Sequence, residues 1–338
     1  MRILVLGGTR FAGAFFVEKA LAAGHQLTAF HRGVTGSVPP GVTSVLGDRD
    51  PELGPGLEQL QGSHWDAVVD FSTSIPQQVE HAIQTLGRTE RYVFVSSVSA
   101  YAELSESGCE ESWPLSEPAG LEESVLSGER YSALKSGCEA RVRHHFGERA
   151  WILRPGLMAG PRDHSDRMTW WPWRIAQGGA TLAPTQAQSQ LVDARDVADF
   201  LLLGLERGLS GVHNVVGPSM PLEQLLAGCE VLVRALGRQP ARLHWMEGAW
   251  LEEQGVEPWS QLPLWTGSDP AEFGWTRVSA ARALRDGLVC RGVECTLRDT
   301  LAWALESRPD GLSTGLDPAH EAKLISAWLA QERAQESS

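Results

Sequence analysis

Residues 3–6 (Ile3, Leu4, Val5, Leu6) form a continuous apolar run. It is too short for a helix that closes on itself and typical of a strand buried on both faces of a parallel sheet. After Gly7 and Gly8 the period changes, and Phe11, Phe15, Val17 and Leu21 are spaced for one buried helical face until Ala23-Gly24-His25 stops it. A second strand over 26–30 completes a βαβ unit within the usual span of about thirty residues. The alternation continues with strands over 43–46, 67–69 with Phe71, 92–95 and 151–153, and helices over 76–86 and from near Gly128 to Val142. This pattern predicts an α/β fold on a parallel sheet.

From Gly160 the alternation fails, and the chain turns to Gly-Pro-Arg-Asp-His-Ser-Asp-Arg and then Trp170-Trp171-Pro172-Trp173. A substrate lobe is placed from there: residues 161–190 and 217–338, interleaved with a nucleotide-binding domain of 1–160 to which 191–216 returns. Within those stretches Ala194-Arg195-Asp196-Val197 leads into a helix through Leu205 capped by Asp196, followed by a strand over 211–216, a helix over 221–236, a strand over 241–245, and helices over 278–284, 297–305 and 319–333. The connection 103–129 is long and acid-rich, including Glu103, Glu106, Glu122, Glu123 and Glu129. Such a loop is either a lid over the substrate or a solvated excursion.

Composition narrows the function. A formal charge of −13 over 338 residues argues against tracking a nucleic-acid backbone, and nothing reads as a bilayer-spanning run. The five cysteines are odd in number and scattered, which suits reduced thiols and a cytoplasmic protein; no zinc or other metal set is expected. The start reads as a buried strand rather than a secretory signal.

The glycine turn is an anion site in the making, because missing Cβ atoms let backbone approach a pyrophosphate and the following helix points unpaired N–H groups at it. Here Gly7, Gly8 and Gly13 are present, but Arg10 stands where a middle glycine is usual. Strand two ends in Phe30-His31-Arg32-Gly33, without the carboxylate that holds the ribose hydroxyls of NAD. Arg32, helped by Arg10, suits the 2′-phosphate of NADP, which makes NADP the preferred cofactor over NAD. Asp48, at the end of strand three, either accepts from an adenine amino group or forms an Asx turn. Ser72, after strand four, leaves room for the cofactor's second ribose.

Tyr131 and Lys135 are four apart and share a helix face, where an ammonium favours phenolate and makes the hydroxyl a usable acid or base. Ser97 ends strand five, and Arg154-Pro155-Gly156 follows strand six. In this order, the glycine turn, Ser-Ser, Tyr-x-x-x-Lys and Arg-Pro-Gly resemble the short-chain dehydrogenase/reductase superfamily. The chain length and Gly160-Pro161 resemble its extended branch of NAD(P)-dependent epimerases, dehydratases and reductases, and the Gly-Gly-x-x-x-x-Gly turn is similar to an atypical subgroup.

The resemblance implies a Rossmann doubly wound sheet with a smaller, partly interleaved C-terminal lobe. It implies Tyr131 as catalytic acid/base, Lys135 as ribose ligand and tuner of Tyr131, and Ser97 as the group orienting the substrate oxygen, with Ser96 the neighbour open to confusion. Thr9, Arg10, Phe11 and Gly13 would hold the pyrophosphate, and Pro155 would flank the nicotinamide. The implied reaction is hydride transfer at a carbinol or carbonyl carbon of a small molecule, with nucleotide sugars as one class. Val98-Ser99 in place of Asp-Glu ranks dehydration lowest. Arg162, Arg167 and Trp170 are candidates for a substrate phosphate and ring, or else are capping charges and packing aromatics. Extended members often dimerise through the helices after strands four and five. Two other classes stand beside the enzyme: a silent NADP sensor, which typically loses the tyrosine or lysine, and an RNA-binding relative like the chloroplast stem-loop proteins, against which the acidity weighs.

Overall fold

The computed structural model describes residues 1–50, 53–72, 74–86, 88–121, 130–308 and 311–336. In chain order the first half gives β1 (Arg2–Leu6), α1 (Phe11–Ala22), β2 (Gln26–His31), β3 (Thr43–Leu46), β4 (Ala67–Asp70), α2 (Pro76–Thr85), β5 (Tyr92–Val95), α3 (Tyr131–Phe146), β6 (Ala150–Pro155) and β7 (Leu157–Ala159). The second half gives α4 (Trp170–Ala176), β8 (Ala180–Pro184), β9 (Gln188–Asp193), α5 (Ala194–Arg207), β10 (Gly211–Val215), β11 (Ser219–Pro221), α6 (Leu222–Ala235), β12 (Arg242–Met246), α7 (Gly248–Glu253), α8 (Ala281–Arg285), α9 (Val293–Ser307) and α10 (Pro318–Glu336).

Seven parallel strands form the central sheet in the order β10-β6-β5-β4-β1-β2-β3. The order reverses at β1, which puts a crevice at the carboxyl ends of β1 and β4, where doubly wound sheets bind ligands. Ile3, Leu4, Val5 and Leu6 are fully buried, as a strand covered on both faces requires. Helices α1 and α5 close one face around Phe16, Trp151 and Phe200; α2 and α3 close the other around Trp65, Tyr92 and Phe94. Contact is close enough at Gly204 of α5 that a Cβ would lie 2.0 Å from the Trp151 indole. A separate core gathers Trp171, Leu182, Leu226, Trp265 and Leu301. None of the helices among the described residues is long and apolar enough to cross a membrane.

Three expectations change. Asp193, not Asp196, caps α5, its carboxylate accepting from the Arg195 N–H, while Asp196 is taken by Arg291 at 2.6 Å. The helix expected over 278–284 shortens to α8, and β8, unexpected, pairs in parallel with β12. The connection over 103–121 is not a solvated excursion: Cys109 and Leu104 are buried, and Gly108 and Ala119 donate to the Arg277 and Ala133 carbonyls at 2.7 and 2.9 Å. Its remaining acids Glu122, Glu123 and Glu129, and Gly128 with the expected start of α3, lie outside the described residues.

Candidate active site

The turn after β1 is shaped by its glycines. Gly7 and Gly8 sit at φ +95° and +86°, and a Cβ on Gly8 would lie 2.9 Å from both Val5 and Val17. Gly13 lets α1 pack down on the turn, since its Cβ would stand 3.1 Å from the Gly8 Cα. Arg10 needs no glycine, because its backbone is ordinary extended chain at φ −141°, ψ 138°. The left-handed residue is Phe11, at φ +47°. No side chain caps α1 and its first turn holds no acid, so its first N–H groups remain open to an anion. The fit to a pyrophosphate is therefore one of backbone, and Arg10 adds a guanidinium to it.

The turn opens on a cleft of about 510 Å³ walled by Gly7–Gly13, the end of β2 with Arg32, Asp48, Ser72, Tyr131 and Lys135. Arg32 is largely exposed and stands 4.0 Å from Asp48. Asp48 accepts the Asp50 N–H at 2.9 Å, which is the Asx turn, and still lines the cleft. A residue not picked out in the sequence lies behind them. Arg49, buried, donates to Asp70 at 2.8 Å, to Ser72 at 3.0 Å and to the Gln78 carbonyl at 2.6 Å, tying the ends of β3, β4 and α2 together. Burial would raise the Asp70 carboxyl, but Arg49 and the Tyr92 hydroxyl at 2.7 Å more than offset this and hold it below its ordinary value. The charged run Asp48-Arg49-Asp50 was the available signal.

Tyr131 opens α3, and Lys135, one turn later, is buried with its Nζ 5.9 Å from the Tyr131 ring centroid and donating to the Val95 carbonyl at 3.1 Å. The two serines part company. Ser96 donates to buried Glu139 at 2.6 Å, and Glu139 in turn holds the equally buried Arg154 at 2.6 and 2.9 Å. That ion pair fixes α3 to the end of β6. Ser97 instead caps the short turn Val98–Ala100, its hydroxyl exchanging bonds with Ser99 at 3.0 and 3.1 Å, and it faces a second chamber.

The second chamber holds about 720 Å³ and takes in Ser97, Tyr131, Pro155, Asp163, Arg167 and Trp259. It shares Phe11, Ser96, Tyr131, Met158 and His164 with the first, so Tyr131 stands in the wall common to both. Among the described residues of the connection, none of 103–121 lines either chamber. Of the substrate candidates only Arg167 lines the second chamber, with its guanidinium 6.0 Å from the Trp259 ring. Arg162 pairs with Glu18 at 2.7 Å and borders a neighbouring cleft of about 470 Å³ that shares Gly8–Phe11, Thr35 and His164 with the first. Trp170 is a packing residue, buried edge-on against Trp171 at 4.6 Å. His164 and Asp163, next to the expected arginines, escaped notice because isolated polar residues in an irregular stretch carry no period.

Residues 61–217 match the model of the NAD dependent epimerase/dehydratase family. With the sheet order and the ordered motifs, this match over slightly under half of the chain bears out the resemblance to the extended short-chain dehydrogenase/reductase branch. Among individual proteins, the chloroplast stem-loop binding protein of 41 kDa b from Arabidopsis thaliana is 26% identical over 238 residues, which is 64% of this chain and 58% of that relative's length. The Bordetella bronchiseptica enzyme WbmG, solved with NAD and UDP, superposes at TM-score 0.65 with 18% identity, over 90% of this chain and 95% of WbmG. UDP-glucose 4-epimerase from Thermus thermophilus, solved with NAD, gives 0.63 and 20%, over 91% and 100%. At such identities the likeness to the solved structures is one of fold.

Proposed function

We propose that this chain is an NADP-preferring oxidoreductase or epimerase that moves hydride at a carbinol or carbonyl carbon of a small molecule. The observation that carries the reading is the position of Tyr131: it lies in the wall between a backbone-lined anion cleft and a side-chain-lined chamber, with Lys135 behind it and Ser97 in the chamber beyond. A nicotinamide cofactor held along the first cleft supplies or accepts the hydride. Gly7–Gly13 and the open first turn of α1 hold its pyrophosphate, and Arg10 and Arg32 favour a 2′-phosphate. Tyr131 gives or takes the hydroxyl proton, Lys135 stabilises its phenolate and binds the ribose, Ser97 orients the reacting oxygen, and Pro155 borders the ring. The solved relatives include nucleotide-sugar enzymes, which makes sugars the first class to screen.

Calorimetric titration with NADPH and NADH tests the cofactor half. Tight binding with NADPH ahead supports it, and absence of binding by either overturns it. The Arabidopsis relative favours a second reading, stem-loop binding, against which the net charge of −13 and the presence of both Tyr131 and Lys135 weigh. A mobility shift with a stem-loop RNA that survives physiological salt would establish that reading.

A further inference from the structure

We infer that the chamber beyond Tyr131 selects an uncharged, hydroxyl-rich substrate over a nucleoside diphosphate derivative, with Asp163 and Ser189 receiving its hydroxyls. The inference rests on the hydride-transfer reading above and goes beyond it to the substrate. Asp163 and Ser189 line this chamber, and the two residues are 1% and 2% exposed. In each, one polar atom lacks a hydrogen bond: Asp163 Oδ2 and Ser189 Oγ. Buried polar atoms without partners are rare, and two in one ligand-sized chamber point to a ligand that completes them. The other Asp163 oxygen is already engaged, accepting from the Ser165 N–H at 2.9 Å and hydroxyl at 2.7 Å, so the carboxylate is held in place. Gln190, next to Ser189, is fully occupied by Gly217 and Val278.

The charges in the wall decide between ligand classes. They are Arg167 against Asp163 and Glu272, with His164 kept towards its neutral form by burial and by Arg10. A diphosphate would bring at least two negative charges to one guanidinium and a desolvated carboxylate, whose carboxyl burial already pushes above its ordinary value. Hydroxyl groups, in contrast, donate to a carboxylate acceptor and exchange bonds with a serine. Trp259 and Trp275 supply apolar faces for the C–H side of such a ligand.

The test uses the full chain saturated with NADP⁺ and follows NADPH formation and calorimetric binding with D-glucose, D-galactose and myo-inositol against UDP-glucose and UDP-galactose. At least one neutral probe is expected to bind and reduce NADP⁺, with UDP-glucose weaker by about tenfold or more, the scale of one misplaced charged contact. Asp163→Asn keeps the acceptor towards Ser165, and is expected to raise KM for the neutral probe about tenfold with kcat within about threefold. Ser189→Ala should raise KM by a smaller factor. Tighter binding of UDP-glucose, failure of all three neutral probes, or an unchanged KM in both variants overturns the inference. Should Asp163→Asn fail to fold, Ser189→Ala and the wild-type probe ranking decide. NADP⁺ binding is read separately: its absence defeats the cofactor reading and the inference with it, whereas NADP⁺ binding with a preference for UDP-sugars defeats the inference alone.

Discussion

The two halves of the cleft, about 510 and 720 Å³, are made of different material. The half beside the glycine turn is mainly backbone: two glycines at positive φ, a helix start without a side-chain cap, and two arginines at its rim. The half beyond Tyr131 is mainly side chain, drawn from stretches near 97, 156, 164, 190, 260 and 275, with two carboxylates and two tryptophans. Backbone amides bind any pyrophosphate, whereas side chains choose among ligands. Substitutions in the first half should therefore register in cofactor affinity, those in the second half in substrate KM, and those in the shared wall in turnover.

The largest effect is expected in that wall. Tyr131→Phe should cut turnover by about 10²- to 10⁴-fold, the usual contribution of a positioned acid or base, and leave NADPH affinity within about threefold. Retained turnover would remove Tyr131 from the chemistry. Next comes the backbone cradle. Gly8→Val places a Cβ 2.9 Å from Val5 and Val17 at a left-handed φ, so it should cost about 1–3 kcal/mol of stability, read by thermal melting, and weaken NADPH. Unaltered NADPH affinity in a folded Gly8→Val protein would mean the cofactor does not lie on this turn. A smaller change is expected at the rim: Arg32→Ala should weaken NADP about tenfold more than NAD, the scale of one charge-assisted contact, and equal losses would take Arg32 off the 2′-phosphate.

The same contrast explains what could be read from the sequence. The strands, the turn and the Tyr131–Lys135 spacing are contiguous or periodic, so local pattern carries them, and the matched sheet order follows. Ser96 and Ser97 are adjacent and alike in sequence, and only the buried Glu139–Arg154 pair shows which of them is engaged in holding α3. Asp193 and Asp196 are both acceptable helix caps locally; Arg291, far along the chain, takes Asp196 and leaves the cap to Asp193. Trp170 is open in sequence to both a ligand and a packing role because aromatic clusters serve both purposes, and its burial against Trp171 identifies it as core. Asp163 could not be found at all, since its meaning lies in an oxygen that finds no partner, and that is a property of three-dimensional surroundings.

The smallest predicted effect separates neighbouring clefts. Arg162 and Arg167 are five residues apart in one irregular stretch, yet Arg162 is 45% exposed, paired with Glu18 and stacked 4.7 Å from the Phe15 ring, while Arg167 borders the second chamber. An exposed ion pair of this kind is worth about 0.2–1 kcal/mol. Arg162→Ala should accordingly lower stability by no more than that and leave both cofactor affinity and substrate KM unchanged, with Arg167→Ala, measured in parallel, altering KM. A KM change in Arg162→Ala equal to that in Arg167→Ala would show that the Glu18 pair opens when substrate binds and that the two clefts work as one.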